Sequence, residues 1–102
     1  MAKRKIVWSN RAKIRLYAIL DYYIVRNKSK VYSIKLQKLI SKEVNLLLKQ
    51  PDLGVKTSEE TIRGLILENY IVYYEISGDK IIIHTIWDCR QNPDDKIIKE
   101  HH

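Results

Sequence analysis

The chain is poor in the residues on which several classes of protein depend. Its 102 residues include one cysteine, two prolines, three glycines and no phenylalanine. The single cysteine, Cys89, cannot form a disulfide within the chain or a cluster of thiolate metal ligands, so a reducing cytoplasm is the expected location. The sequence has neither a glycine-rich phosphate loop nor a pair of histidines at helical metal spacing. We therefore expect no metal, no cofactor and no small-molecule substrate.

Long hydrophobic runs are also missing. The basic start, Lys3 to Lys5, is followed by only three apolar residues, and no later run has the length of a membrane span. We expect a protein that does not bind membranes and has a single domain over residues 1–100. The adjacent His101 and His102 are interpreted as a possible remnant of a purification tag and are left out of any site.

Charge is distributed unevenly along the chain. Residues 1–50 contain 13 Lys and Arg against 2 Asp and Glu, whereas residues 51–102 contain 6 against 10, and the whole chain has a net charge of +7. A basic half beside an acidic half indicates that the first half binds a nucleic acid or an acidic protein. The alternative is that these lysines only solvate exposed helix faces.

Hydrophobic periodicity predicts two helices in the basic half. After a short strand near Ile6, Ser9 and Asn10 provide an N-cap, and the helix should end near Asn27. Its apolar stripe consists of Ala12, Leu16, Ile19 and Tyr23. Ser29 can cap a second helix that runs to the stop at Pro51. The apolar stripe of this helix consists of Leu36, Ile40, Val44, Leu47 and Leu48. A short connection between the helices predicts an antiparallel hairpin.

The second half predicts strands. Three runs rich in β-branched and aromatic residues span Thr61 to Leu67, Tyr70 to Ser77 and Lys80 to Trp87, and they are separated by two-residue turns. The expected fold class is α+β: a short N-terminal strand, an antiparallel helical hairpin and a three-stranded antiparallel meander. Strict alternation places Ile81, Ile83, Thr85 and Trp87 on one side of the last strand and Ile82, His84, Ile86 and Asp88 on the other. We expect Trp8 and Trp87 to be anchors of the core.

Several residues along the chain follow one another in an order that is also found in the members of one protein family. The set consists of Trp8, Ala12, Leu16, Tyr22-Tyr23, Pro51 to Gly54, Arg63, Asn69 to Tyr74 and Ile86 to Pro93. From Ile6 to Pro93 this order resembles the RelE/ParE family of toxins, whose β-α-α-β-β-β fold agrees with the elements above. The resemblance implies a small bacterial toxin of a type II toxin-antitoxin system, with either DNA gyrase or messenger RNA on the ribosome as its target.

The resemblance implies different residue roles for the two targets. RelE-like members cut messenger RNA, a reaction that needs cations beside the phosphate and a proton carrier. Arg63 and Arg90 match the two arginines of such members. His84, Tyr73 or Tyr74 could serve as the proton carrier, and of these we take His84 as the candidate. ParE-like members are implied to act by binding gyrase without a catalytic set. The corner Pro51 to Gly54, the Tyr-Tyr-Glu strand and the Arg90 to Pro93 ending favour this second branch.

The resemblance also implies a partner, because toxins of this family are held inactive by a cognate antitoxin whose extended or helical segment wraps the toxin. An acidic antitoxin would suit the basic half, and the complex is expected to repress its own operon. The expected contacts to partner or nucleic acid are Arg11, Arg15, Lys35, Lys38, Lys42 and Lys56.

Simpler interpretations stay open for these residues. Arg63 and Arg90 could form salt bridges to acids of the sheet half, such as Glu75 or Asp88, and a lone histidine on an isoleucine-rich strand is often structural. A third hypothesis for the whole chain is a basic nucleic-acid-binding module that has the fold but no toxicity.

Overall fold

The fold is seen in a computed structural model that describes residues 4–89. The elements are β1 (Lys5–Trp8), α1 (Asn10–Asn27), α2 (Val31–Leu46), β2 (Val55–Lys56), β3 (Ile62–Leu67), β4 (Tyr70–Ser77) and β5 (Lys80–Asp88). The five strands form one sheet in the order β1-β5-β4-β3-β2. The predicted α+β fold class is confirmed: a short strand, two helices and an antiparallel meander of β3, β4 and β5.

Two features of the sheet were not predicted. β2 is a strand of two residues that pairs with Gly64 and Arg63 at the edge of β3. β1 pairs with β5 in the parallel direction, with Ile6 opposite Ile81. The sequence pattern does not identify β2, because a strand of two residues is too short to show alternation of apolar and polar residues.

Ser9 joins the first helix to the sheet. Its side-chain oxygen accepts a hydrogen bond from the N–H of Ala12 at 3.0 Å, which is the predicted N-cap, and it also donates to the carbonyl of His84 on β5 at 2.9 Å. The helix ends at Asn27, followed by Lys28 in the left-handed conformation with φ of 52°. One hydroxyl therefore satisfies an orphan helix donor and fixes the helix start against β5.

The second helix begins at Val31, with Lys30 and not the predicted Ser29 as its N-cap residue, and it ends earlier than predicted. Ser29 accepts from the N–H of Val31 at 3.2 Å, and the buried hydroxyl of Ser33 donates to the carbonyl of Leu20 at 2.6 Å, which ties α2 to α1. The helix ends at Leu46, whereas the pattern predicted Gln50. Leu47, Leu48 and Lys49 form a tightened last turn in which each N–H donates to the carbonyl three residues earlier.

The core lies between the helical hairpin and one face of the sheet. From the helices it takes Ala12, Leu20, Tyr23, Leu36, Ile40, Val44 and Leu47, and from the strands Leu65, Leu67, Tyr70, Val72, Tyr74, Ile81, Ile83 and Ile86. The predicted stripe of α1 points into this layer, with Leu16, Ile19 and Trp8 packed at its margin. The second stripe also does so, except for Leu48, which is not part of the core cluster. The period of the sequence thus located the helix faces.

A β-bulge in the last strand changes the predicted faces. Tyr73 pairs with Thr85 but Tyr74 pairs with Ile83, so His84 is an extra residue in β5. Beyond the bulge the alternation is shifted by one, and Ile86 lies in the core with Ile81 and Ile83. The predicted grouping of Thr85 and Trp87 with Ile81 is therefore wrong.

Trp87 lies on the other face of the sheet. It is opposite Ile71 in β4 and is not part of the core cluster, so its predicted role as a core anchor is wrong. Its indole nitrogen is buried and has no hydrogen-bond partner within residues 4–89. The shift at His84 is the physical reason, because one inserted residue exchanges the faces of all residues after it.

Replacement of Ile40 by alanine tests the location of the core. Ile40 is 1% exposed, so Ile40→Ala should lower the free energy of unfolding by roughly 2 to 5 kcal/mol through lost burial and the cavity left behind. The matched control is Ile14→Ala on α1, whose side chain is 68% exposed and whose loss should change stability by less than about 0.5 kcal/mol. Urea denaturation followed by circular dichroism measures both; equal losses would contradict this packing.

Candidate functional site

The corner that follows the helical hairpin is held to the sheet by Tyr74. The phenol oxygen of this completely buried side chain donates to the carbonyl of Pro51 at 2.6 Å and accepts from the N–H of Gly54 at 2.8 Å. A Cβ atom on Gly54 would lie 2.6 Å from Cε1 of Tyr74, which is too close for any side chain there. Glycine is therefore required where the backbone crosses the ring.

Arg63 holds the same corner from β3. Its guanidinium donates to the carbonyl of Gly54 at 2.9 Å and to that of Asp52 at 3.4 Å, and it forms an ion pair with the Asp52 carboxylate at 3.5 Å. About a quarter of the side chain is exposed. Arg63 is in the position that sequence resemblance assigns to a phosphate-binding arginine, but its donors are directed at the backbone of the corner.

Burial affects the protonation of Tyr74. Desolvation raises the pKa of its phenol above the ordinary value of 10.0, while the hydrogen bond from Gly54 and the positive charge of Arg63 lower it by smaller amounts. The raised pKa means that the protonated phenol is the form that the folded chain favours. That form is required for donation to Pro51.

His84 lies on the opposite face of the sheet from Arg63. Its Nε2 atom is 2.8 Å from the Glu75 carboxylate, with both side chains partly exposed. Arg63 is opposite Tyr74 and shares its helix-facing side, while Glu75, the next residue along β4, faces the other way. The structure therefore does not bring Arg63 and His84 together. Arg90, the third residue of the predicted catalytic set, lies outside the described residues.

The predicted contact residues lie on two surfaces. Lys56 in β2 is opposite Arg63 at the sheet edge and is exposed. Lys35, Lys38 and Lys42 are exposed on α2, at spacings of three and four residues that place them on one helix face. Arg11 is exposed in the first turn of α1. Arg15 lies one turn further along the helix, at the rim of a groove.

The groove between α1 and the ends of β4 and β5 is a site that sequence reasoning missed. It has a volume of about 490 Å³ and is lined by Arg15, Ala18, Ile19, Tyr22, Tyr23, Tyr70, Ile86 and Asp88. Tyr70 donates from its hydroxyl to that of Tyr23 at 3.1 Å across the floor. The small side chain of Ala18 beside Tyr22 and Tyr23 is the sequence signal that could have indicated it. Apolar walls with a cation on one side and a carboxylate on the other suit a peptide segment.

Other classes of site have no support in the described part of the chain. Among residues 4–89 no group of histidine, cysteine and acidic side chains could hold a metal ion. Within the same range, no helix has the length and apolar character needed to cross a bilayer.

Comparison with known proteins relates the fold to one family. A family model described as the ParE toxin of type II toxin-antitoxin system, parDE, matches residues 6–93. The structure entitled "Chromosomal ParDE TA system from P. aeruginosa" has a chain 24% identical to this one, with a TM-score of 0.72, over 86% of this chain and 98% of that one. YafQ from E. coli strain BL21(DE3) is 14% identical, with a TM-score of 0.49, over 84% of this chain and 93% of its own. No curated protein sequence matches significantly.

Loss of the Tyr74 hydroxyl should destabilise the corner. Tyr74→Phe leaves the Pro51 carbonyl and the buried Gly54 N–H without their partner, and we expect a loss of about 1 to 3 kcal/mol in the free energy of unfolding. Tyr17→Phe is the matched control, because that side chain is mostly exposed on α1. Denaturant unfolding of both variants measures the difference, and an unchanged stability of Tyr74→Phe would contradict the proposed tie.

The same variant should alter the dependence of stability on pH. Since folding raises the pKa of Tyr74, its contribution to stability is complete below pH 10.0 and is lost as the pH rises through the higher pKa of the folded chain. The stability difference between wild type and Tyr74→Phe should therefore narrow above pH 10.0. Paired unfolding curves at neutral and alkaline pH measure this, and a difference that widens would reverse the sign of the assigned shift.

Proposed function

The chain belongs to the ParE toxin family of type II toxin-antitoxin systems, and from this membership we propose that it arrests bacterial growth by binding DNA gyrase. Binding, and not RNA cleavage, is then the toxic event. A cognate antitoxin is the second partner that the family implies. The proposal concerns the target and the mode of action, because the toxin class follows from the family itself.

The main support for this proposal is that the guanidinium of Arg63 binds other residues of the protein. Three polar contacts direct its guanidinium to Asp52 and Gly54, and the candidate proton carrier His84 is on the other side of the sheet. Phosphate binding by Arg63 would have to compete with these contacts, although the guanidinium has five N–H donors in total. General acid or base catalysis requires the proton carrier within hydrogen-bond distance of the reacting group. Arg63 and His84 do not provide that arrangement.

The charge of the sheet half supports binding over cleavage. His84 lies beside Glu75, and the corner at Arg63 carries Asp52, so acidic groups accompany both candidates. A carboxylate beside each residue disfavours a polyanion such as messenger RNA at either place. The RelE-like alternative, a ribosome-dependent endoribonuclease using Arg63, Arg90 and His84, is the competing function that the experiment below must exclude.

For the antitoxin we propose the groove between α1 and the strand ends as the binding site. Ala18, Ile19 and Ile86 provide an apolar floor, which suits the apolar face of an amphipathic helix. Arg15 on the rim would pair with an acidic residue of that helix. This part of the proposal agrees with the expectation of an acidic antitoxin, since α1 carries Arg11, Lys13, Arg15 and Arg26 against one acid, Asp21.

Two assays test the target: a gyrase supercoiling assay with the purified chain, and a map of messenger RNA 5′ ends in cells in which the chain has been induced. Supercoiling by gyrase should be inhibited in proportion to added toxin, and maps of messenger RNA 5′ ends should show no new cuts after induction. Cuts in coding regions that disappear when translation is blocked would overturn the proposal in favour of the ribonuclease. Normal growth after induction, with the folded chain present, would favour the non-toxic nucleic-acid-binding module.

A bulky charge in the groove should separate antitoxin binding from toxicity. Ala18→Arg fills the groove floor, so we expect at least a tenfold loss of antitoxin affinity, about 1.4 kcal/mol, while gyrase inhibition is retained. The control is Ser41→Arg, which adds the same side chain at an exposed position of α2 outside the groove. Isothermal titration calorimetry with the antitoxin measures the affinities, and unchanged binding to Ala18→Arg would place the antitoxin elsewhere.

A further inference from the structure

The outer face of α2 is strongly basic. No aspartate or glutamate occurs between Tyr22 and Lys42, a stretch that includes Arg26 and five lysines. Three of these lysines, Lys35, Lys38 and Lys42, are exposed on one side of α2, and we refer to them as the basic stripe. A helix rises by about 1.5 Å per residue, so the stripe extends over roughly 10 Å.

Within residues 4–89, no ion pair neutralises the charge of the stripe. The two ion pairs found within residues 4–89 are Arg63 with Asp52 and His84 with Glu75, and neither involves α2. The one acid of α2, Glu43, is half-buried and follows Lys42 directly, so it points about 100° away around the helix axis. Three adjacent like charges remain open to a ligand of opposite sign.

The chemistry around the stripe favours a regular polyanion with paired bases. A duplex presents about one phosphate charge per 1.7 Å of its axis, so several phosphates lie within the length of the stripe. Proteins that bind single strands add exposed aromatic rings on which bases stack. Apart from Lys38, the exposed positions of α2 between Lys35 and Lys42 are Gln37 and Ser41. The one aromatic residue of the helix, Tyr32, is partly buried against the core.

We infer that α2 binds the phosphate backbone of duplex DNA through Lys35, Lys38 and Lys42, without reading base sequence. The choice of DNA over duplex RNA rests on the proposed gyrase target, which holds DNA during its reaction. No residue of α2 lines the groove beside α1. An antitoxin segment in that groove therefore leaves the stripe exposed, and DNA binding is independent of antitoxin occupancy at that site.

The test uses the isolated full-length chain and a short fluorescent DNA duplex of arbitrary sequence. Three phosphate contacts predict a slope of about −2.7 when the logarithm of the affinity is plotted against the logarithm of the salt concentration. This slope means a loss of affinity of roughly 40-fold between about 50 and 200 mM salt. Fluorescence anisotropy measures the affinity. Two different duplex sequences should bind equally, and binding that does not depend on salt would overturn the inference.

Two triple variants with the same net charge distinguish DNA binding by the stripe from general attraction of DNA by the net charge of the protein. Lys35→Gln, Lys38→Gln and Lys42→Gln together should remove most of the salt dependence. The control combines Arg4→Gln, Lys5→Gln and Lys80→Gln, which removes the same charge from exposed residues at β1 and the start of β5 and should retain wild-type affinity. Equal losses in both variants would mean attraction by net charge alone and would contradict the assigned surface.

Two further measurements keep the result unambiguous. Circular dichroism checks the fold of the triple variant; if it unfolds, the single variants replace it, and each should reduce the salt slope by about 1. Duplex RNA, a polyglutamate peptide and anionic lipid vesicles serve as competitors, and stripe-dependent binding of any of them in preference to DNA would overturn the inference. Because gyrase is absent from this assay, its outcome is independent of the supercoiling test.

Discussion

The hydroxyl of Tyr74 determines how the two halves of this protein meet. Tyr74 lies in the central strand of the sheet, and its side chain reaches through the core to the backbone at Pro51 and Gly54, where the chain leaves the helical hairpin. Arg63 reinforces the same corner from the neighbouring strand. The rest of the connection between α2 and β3 is held by the short β2 pairing, by the Arg63 contacts and by the hydrogen bond from Thr57 to the carbonyl of Ile62. The buried phenol of Tyr74 therefore fixes the corner against the sheet, beneath the same core that packs the sheet on the helices.

The charges of the molecule are divided between the two parts that meet at this corner. The helical hairpin, with its connecting loop and last turn, carries most of the cations of residues 4–89. The corner and the sheet carry the acids that contact Arg63 and His84. An arginine that is directed at the protein backbone stabilises the fold but is less available to a substrate. The two surfaces that we propose for binding, the groove on one side of α1 and the basic stripe on α2, are both exposed by the hairpin. Both suit recognition of another macromolecule.

The elements of this fold could be predicted from sequence because their signals are local. Hydrophobic period located α1 and α2, and the Ser9 cap and the turns at Glu68-Asn69 and Gly78-Asp79 located most element ends. The faces of β5 could not be predicted beyond His84, because a bulge is a property of two paired strands and leaves no alternation error in either one alone. Resemblance identified Arg63 as important, but its contacts with Asp52 and Gly54 depend on how the corner folds back. The groove depends on Ala18 and Ile86 meeting across the molecule, which no sequence window contains.

The parallel pairing of β1 and β5 delays the completion of the sheet until late in the synthesis of the chain. β1 is the first described element, and its only partner in the described sheet is β5, the last strand. Ile6 can therefore pair with Ile81 only after β5 has been synthesised. Contacts of such long sequence separation form late, since the intervening chain must first be ordered. On the ribosome, the N-terminal strand and the Ser9 contact to β5 cannot form until nearly the entire domain has emerged. A nascent chain that stops before β5 would have the helices but no completed sheet. A partner that binds α1 at this stage would bind the toxin before β1 and β5 have paired.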